Sequence, residues 1–288
     1  MSAASISVRV DASVHHSALG ALCFRELRQF LLNPIFLFSI ALMGLYWSGL
    51  GDRIDEIDTV NPYPAIFLGG FGLMAAFWQT RSMHASEQIA GVAPTMLPAR
   101  TAALCAVAIP PFILGCVTLV AFLQLHPLSD PVYGPMPRSA RLAVLIGQFV
   151  VPTLGGPLLG VALGRWVRFP GAGFALFLVL YGWVSLVTVL AIAQPASTPI
   201  ALLRLFAPFS FFTFSEHPGE VTAWRGSPGL FICWQLALCV LAILLAILRG
   251  ADPVLRRRVL HALWLCGGLA VVLLVAAGIG GLTHPVTA

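Results

Sequence analysis

Seven stretches of about twenty apolar residues, separated by short polar breaks, decide what this chain can fold into. They run roughly over 33–50, 63–79, 102–123, 141–163, 172–193, 229–248 and 261–282. A helix needs about 20 residues to cross ~30 Å of hydrocarbon, and backbone groups in lipid must be satisfied within their own segment. All seven stretches therefore read as helices. Of the 288 residues, 59% are hydrophobic and 9% charged, whereas soluble domains carry about 25% charge. One aqueous core cannot hide that excess. The expected fold is all-α, a polytopic membrane helix bundle over 18–288, preceded by a cytoplasmic tail over 1–17.

Arginine sets the expected orientation. The chain has no lysine, and its 16 basic residues are all arginine, in an Ala-, Gly- and Pro-rich composition that points to a GC-rich bacterial genome. With the N-terminus inside, eleven arginines fall on cytoplasmic segments: Arg9, Arg25, Arg28, Arg81, Arg100, Arg165, Arg168, Arg249, Arg256, Arg257 and Arg258. Five fall outside: Arg53, Arg138, Arg141, Arg204 and Arg225. The positive-inside bias favours an interior N-terminus and an exterior C-terminus in a bacterial cytoplasmic membrane. The net charge of +5 is then a matter of topology, and no nucleic-acid partner is implied.

Ahead of the first apolar stretch, residues 18–32 carry helical periodicity. Gly20, Cys23, Phe24, Leu27, Phe30 and Leu31 share one face, while Arg25, Arg28 and Gln29 lie on the other. Asn33-Pro34 interrupts this helix, because the residue before proline avoids the helical region. The pattern predicts an amphipathic elbow helix, bearing Arg25, Glu26 and Arg28, that lies in the interface before the chain turns inward. The alternative is a first span that simply starts early.

Several chemistries are excluded. Without lysine there is no G-x-x-x-x-G-K-[ST] phosphate loop, and neither H-E-x-x-H nor G-x-S-x-G occurs. The six cysteines form no C-x-x-C pair, so no zinc site or disulfide framework is indicated. Met1 to Ser17 contains no apolar core, so no cleavable signal peptide is expected. The acidic loop with Asp52, Asp55, Glu56 and Asp58 resembles half of a Mg²⁺–pyrophosphate site. A lipid-modifying membrane enzyme built on it would need a second acidic cluster, which is absent from the sequence. A solvated outer loop is the simpler reading, and no metal ligands are assigned.

Three features concern the spans themselves. Gly156, Gly160 and Gly164 recur every four residues, a ridge that lets another helix approach closely. Pro110 and Pro111 remove two backbone bonds in mid-span and predict a kink. Tyr181, Ser185 and Thr188 form a polar stripe at helical spacing. Either a substrate path or ordinary packing accounts for that stripe. Residues 194–228 are apolar but broken by Arg204 and Pro208, and read as interfacial or re-entrant.

The order of elbow, span, outer loop, span and cytoplasmic helix resembles the permease subunits of type-2 ATP-binding-cassette (ABC) exporters. Three stretches carry the likeness: "RELRQFLLNPIFLF", "EQIAGVAPTMLPARTAALCAVAIPP" and "SPGLFICWQLALCVLAILLAILRG". The seventh span departs from the six-span core of that family and is similar to longer actinobacterial members. The resemblance implies a permease without catalytic residues or cofactors of its own. It would pair with a second permease, identical or related, and with ATPase subunits that bind ATP and Mg²⁺. It also implies a cytoplasmic coupling helix. Glu87, Gln88, Ile89, Ala90 and Gly91 fit as a short, separate helix, since Glu87 suits the positive dipole end and Pro94 forbids continuation. Ile89 is its one large apolar side chain and the expected anchor on an ATPase.

Overall fold

The computed structural model describes residues 12–50, 63–90, 97–125, 127–128, 137–193 and 227–279. Among these residues the fold is all-helical. The acidic loop of residues 52–58, the broken stretch over 194–226, Gly91 and residues 280–288 lie outside them. We number the α-helices α1 (Ala12–Leu31), α2 (Pro34–Leu50), α3 (Phe71–Ala90), α4 (Leu97–Cys105), α5 (Ile109–Leu125), α6 (Arg138–Phe149), α7 (Val151–Trp166), α8 (Ala172–Ala193), α9 (Pro228–Leu248) and α10 (Pro253–Ile279). A π-helix, Ala65–Gly70, leads into α3, and a 3₁₀ turn, Ala106–Ala108, joins α4 to α5.

Over its described residues, every expected apolar stretch is helical. By length and composition, however, four segments are long and apolar enough to cross a membrane: Arg100–Leu125, Arg138–Trp166, Pro228–Leu248 and Pro253–Ile279. They become five if α1 and α2, bent by 58° at their junction, count as one broken span. The bend falls at Asn33, as the Asn-Pro pair predicts. The Asn33 side-chain oxygen accepts the Ile35 N–H at 2.9 Å and so caps α2. Helix α1 begins at Ala12, inside the stretch expected to be a tail, because neither glycine nor proline stands between Ala12 and Leu19 to stop it.

The Pro110–Pro111 pair tightens its helix rather than breaking it. The turn just before the prolines winds as 3₁₀, and Arg100–Leu125 continues as one segment.

Helix α7 is the centre of the bundle. Its segment is 72% buried, against 11% for the edge helix α10. The glycine ridge explains why. A methyl group at Gly156 would overlap the Gly69 carbonyl, and one at Gly160 would overlap the carbonyl of Leu73. At Gly164 it would lie 2.8 Å from Thr80 Cβ. Small residues thus bring the α7 backbone against the π-helix and α3 for three successive turns. These contacts also fix direction, since α3 and α7 run parallel.

Two further bonds extend the frame. The Trp166 indole N–H donates to the Leu245 carbonyl at 2.8 Å, so α9 ends beside the end of α7. The Ser227 N–H donates to the Ala277 carbonyl at 2.9 Å, so α10 returns antiparallel. One end of the bundle therefore gathers Arg25, Arg28, Arg81, Arg100, Arg165, Arg168, Arg249, Arg256, Arg257 and Arg258. The other holds Arg138 and Arg141 among the described residues.

The ridge makes a direct prediction. Gly160→Val forces α7 off α3, and overpacking of this kind costs about 1–3 kcal/mol. Gly44→Ala, where an added methyl meets no atom within 4 Å, leaves stability unchanged or slightly raised. Thermal unfolding of the two variants in detergent, followed by size-exclusion fluorescence, checks the contrast.

Candidate functional site

At the arginine-rich end a carboxylate is buried where a solvated one would be ordinary. Glu26 of α1 is 3% exposed. The Gln79 side-chain amide of α3 donates to the Glu26 carboxylate at 2.7 Å and to its backbone carbonyl at 3.0 Å. Phe30, one turn further along α1, is fully buried, its ring centre 4.5 Å from that of Phe36 of α2 and tilted by 41° to it. Glu26 and Phe30 therefore face the bundle. Arg25 and Arg28 are exposed, and so are Phe24 and Leu31 from the apolar face. Thr80, Thr101 and Arg165 are further buried polar residues of the described chain.

The sequence-predicted coupling residues sit nearby along the chain. Glu87, Gln88, Ile89 and Ala90 are the last turn of α3, which runs unbroken from Phe71, instead of a short separate helix. After Gly72 the helix contains no glycine or proline and is rich in Ala, Met, Gln and Glu, so nothing stops it before Gly91. From Gln79 to Ala90 it rises a further ~16 Å at 1.5 Å per residue.

At mid-bundle, an apolar groove opens between the π-helix, α7 and α8. Its walls include Ile66, Gly69, Gly70, Pro152, Phe177 and Tyr181. The two glycines make it possible. An added methyl at Gly69 would lie 2.7 Å from the Pro152 carbonyl oxygen, and at Gly70 it would run into the Phe177 ring. An aromatic ladder flanks the groove: Tyr46–Tyr63 at 4.1 Å, Tyr63–Phe67 at 5.4 Å, Phe71–Phe177 at 5.5 Å and Phe177–Tyr181 at 6.1 Å. The enclosed space is about 50 Å³, far below the roughly 300–1,000 Å³ of a drug-sized pocket.

Of the sequence-predicted polar stripe, Tyr181 lines this groove, Ser185 is half-buried outside its lining, and the Thr188 side chain lies outside the described residues. Tyr181 supplies the single polar side chain among the lining residues. The groove can hold hydrocarbon or aromatic surface but offers no acid, base or nucleophile pair. Among the described residues, no group of three or more His, Cys, Asp or Glu could hold a metal ion. Gly156, Gly160 and Gly164 serve the α3–α7 contact, with Gly156 also at the groove floor. Pro110 and Pro111 stand in the first turn of α5, where Pro111 is buried, and an added methyl at Gly72 would meet both Pro157 of α7 and Pro111.

Compared with protein-family models, with curated proteins and with solved structures, the chain matches none.

Sequence reasoning missed the Glu26–Gln79 pin and the π-helix. A lone acid one turn before Phe30 of the apolar face was a signal for the first, and Pro64 followed by Gly69-Gly70 for the second. The pin can be tested by substitution. Glu26→Ala strands the buried Gln79 amide and lowers stability by about 1–3 kcal/mol. Glu26→Gln, which keeps an acceptor oxygen, retains most of it. A Glu26→Ala/Gln79→Leu double variant recovers part of the loss in the same thermal assay.

Proposed function

We propose that this chain is the permease subunit of a type-2 ABC exporter in a bacterial cytoplasmic membrane. It moves an amphipathic or hydrophobic substrate outward, and separate ATPase chains bind ATP and Mg²⁺. The observation that carries the reading is α1: an amphipathic helix bent 58° from α2 and pinned by Glu26 to Gln79, midway along α3. An elbow of this kind links the interface to the first span.

In this reading the arginine-rich end is cytoplasmic, all seven apolar helices cross the bilayer, and the N-terminus lies inside. Arg25 and Arg28 of the elbow face the headgroups. The end of α3, with Glu87, Gln88, Ile89 and Ala90, followed in the chain by Gly91, meets the ATPase. A rigid helix continuous with the glycine-packed centre transmits a push more directly than a loop would. The groove beside Tyr181, with Ser185 and Thr188 further along α8, belongs to the substrate path. A second permease, identical or related, completes the translocation unit.

The absence of a phosphate loop from the sequence makes a clear test possible. Tagged chain purified from its native membrane carries an ATPase activity that orthovanadate inhibits. Ile89→Asp, which buries an unpaired carboxylate at the contact, abolishes that co-purifying activity while the permease still inserts. A cysteine at Ala90 crosslinks to the ATPase chain. Wild-type preparations without any ATPase chain would overturn the proposal.

The path has its own test in a background lacking the six native cysteines. Tyr181→Cys and Ser185→Cys react with a small aqueous thiol reagent faster than Leu178→Cys and Leu186→Cys. Equal rates on both faces of α8 would return the stripe to ordinary packing.

A further inference from the structure

Helix α10 touches the bundle along one edge only. Val259, Ala270 and Ala277 are buried, with Cys266, Leu273 and Leu274 packed towards α9. The opposite edge is bare: Trp264 is 80% exposed and Leu265 76%. Arg257, His261 and Trp264 recur at helical spacing on that bare edge, and all three are exposed. Read along the helix, the edge passes from cation through amphipathic ring to hydrocarbon at Val271, Val272 and Val275. From Val259 to Ile279 the helix rises ~30 Å at 1.5 Å per residue, which is the hydrocarbon thickness of a bilayer. Arg256, Arg257 and Arg258 therefore fall at the level of the headgroups.

The neighbouring elements add cations at the same level. Arg249, at the end of α9, places its guanidinium 5.2 Å from the centre of the Trp166 ring. That ring is itself held by its bond to the Leu245 carbonyl, so the guanidinium is anchored on an aromatic face. Arg168 and Phe169 follow Trp166 in the exposed link to α8. The nearby acid, Asp252, is engaged in capping α10, with its carboxylate accepting the Leu255 N–H at 2.7 Å. Four arginines, Arg249, Arg256, Arg257 and Arg258, are thus exposed within ten residues of chain, and the bare edge of α10 that follows them is hydrocarbon. Guanidinium forks match phosphate oxygens in pairs.

We propose that Arg249, Arg256, Arg257 and Arg258, with Trp166 and Trp264, form a binding surface for anionic phospholipid: headgroup phosphate on the arginines, acyl chains along the bare edge of α10. The apolar edge is what selects a lipid over a free anion or a soluble protein. Neither of those would cover Trp264 and the valines beyond it.

The experiment uses the full purified chain in detergent, titrated with phosphatidylglycerol or phosphatidylcholine and followed by native mass spectrometry and thermal unfolding. Phosphatidylglycerol binds and raises the unfolding temperature, and phosphatidylcholine does so at least about tenfold more weakly. Arg256→Gln/Arg257→Gln weakens phosphatidylglycerol at least about tenfold. Trp166→Leu, which leaves every charge in place, weakens it about two- to five-fold. Arg138→Gln, at the other end, changes nothing. If the double variant inserts poorly, Trp166→Leu and a single Arg257→Gln still decide the matter. Equal binding of the two lipids, or unchanged binding in these variants, would overturn the proposal. Displacement of the lipid by millimolar inorganic phosphate would assign the arginines to a free anion instead. Protection of the patch by an ATPase subunit, with no lipid effect, would assign them to a protein.

Discussion

Close approach of two helix backbones holds this bundle together. Lipid solvates leucine as well as a protein core does, so apolar side chains alone give membrane helices little reason to associate. What remains is packing, which improves as the backbones come nearer. Gly156, Gly160 and Gly164 remove the side chains that would keep α7 away from the Gly69 and Leu73 carbonyls and from Thr80. With α7 seated there, α9 is aligned through Trp166, and α10 follows α9. The groove depends on the same contact, since its floor is the line where Gly69 meets Pro152 and Gly156.

The polar pin at the other level works by a different rule. Glu26 and Gln79 are out of water, so each needs the other, and separating α1 from α3 leaves both unsatisfied. A packing ridge tolerates small slides. A buried hydrogen-bonded pair does not. The bundle thus combines a sliding surface at its centre with a fixed attachment at its arginine-rich end.

Much of the fold was legible because membrane helices announce themselves by length and apolarity. The Asn33-Pro34 bend was legible because proline constrains its predecessor whatever the tertiary context. The periodicity of α1 was less informative. It separated apolar from charged residues, but the face that meets the protein carries Glu26, and part of the apolar face looks outward at Phe24 and Leu31. In lipid the apolar side of a helix need not be its protein side. The end of α3 was misread for another reason: polarity after Gln79 looked like the end of a helix, whereas helix formers there carry it on to Ala90. The polar stripe on α8 was half legible. Tyr181 reaches the groove, but its companions on the wall are Phe177, Leu180 and Val184, which no polarity pattern would single out.

The glycine contact also has a consequence in time. Gly69 and Gly156 are 87 residues apart in the chain, so at about 5–20 residues per second α3 waits roughly 4–17 s for α7 to be synthesised. During that interval its small-residue face lacks the partner it packs against in the finished bundle. The helices made before α7 must therefore hold their places through their contacts with one another, such as the Glu26–Gln79 pin, until the central contact becomes available.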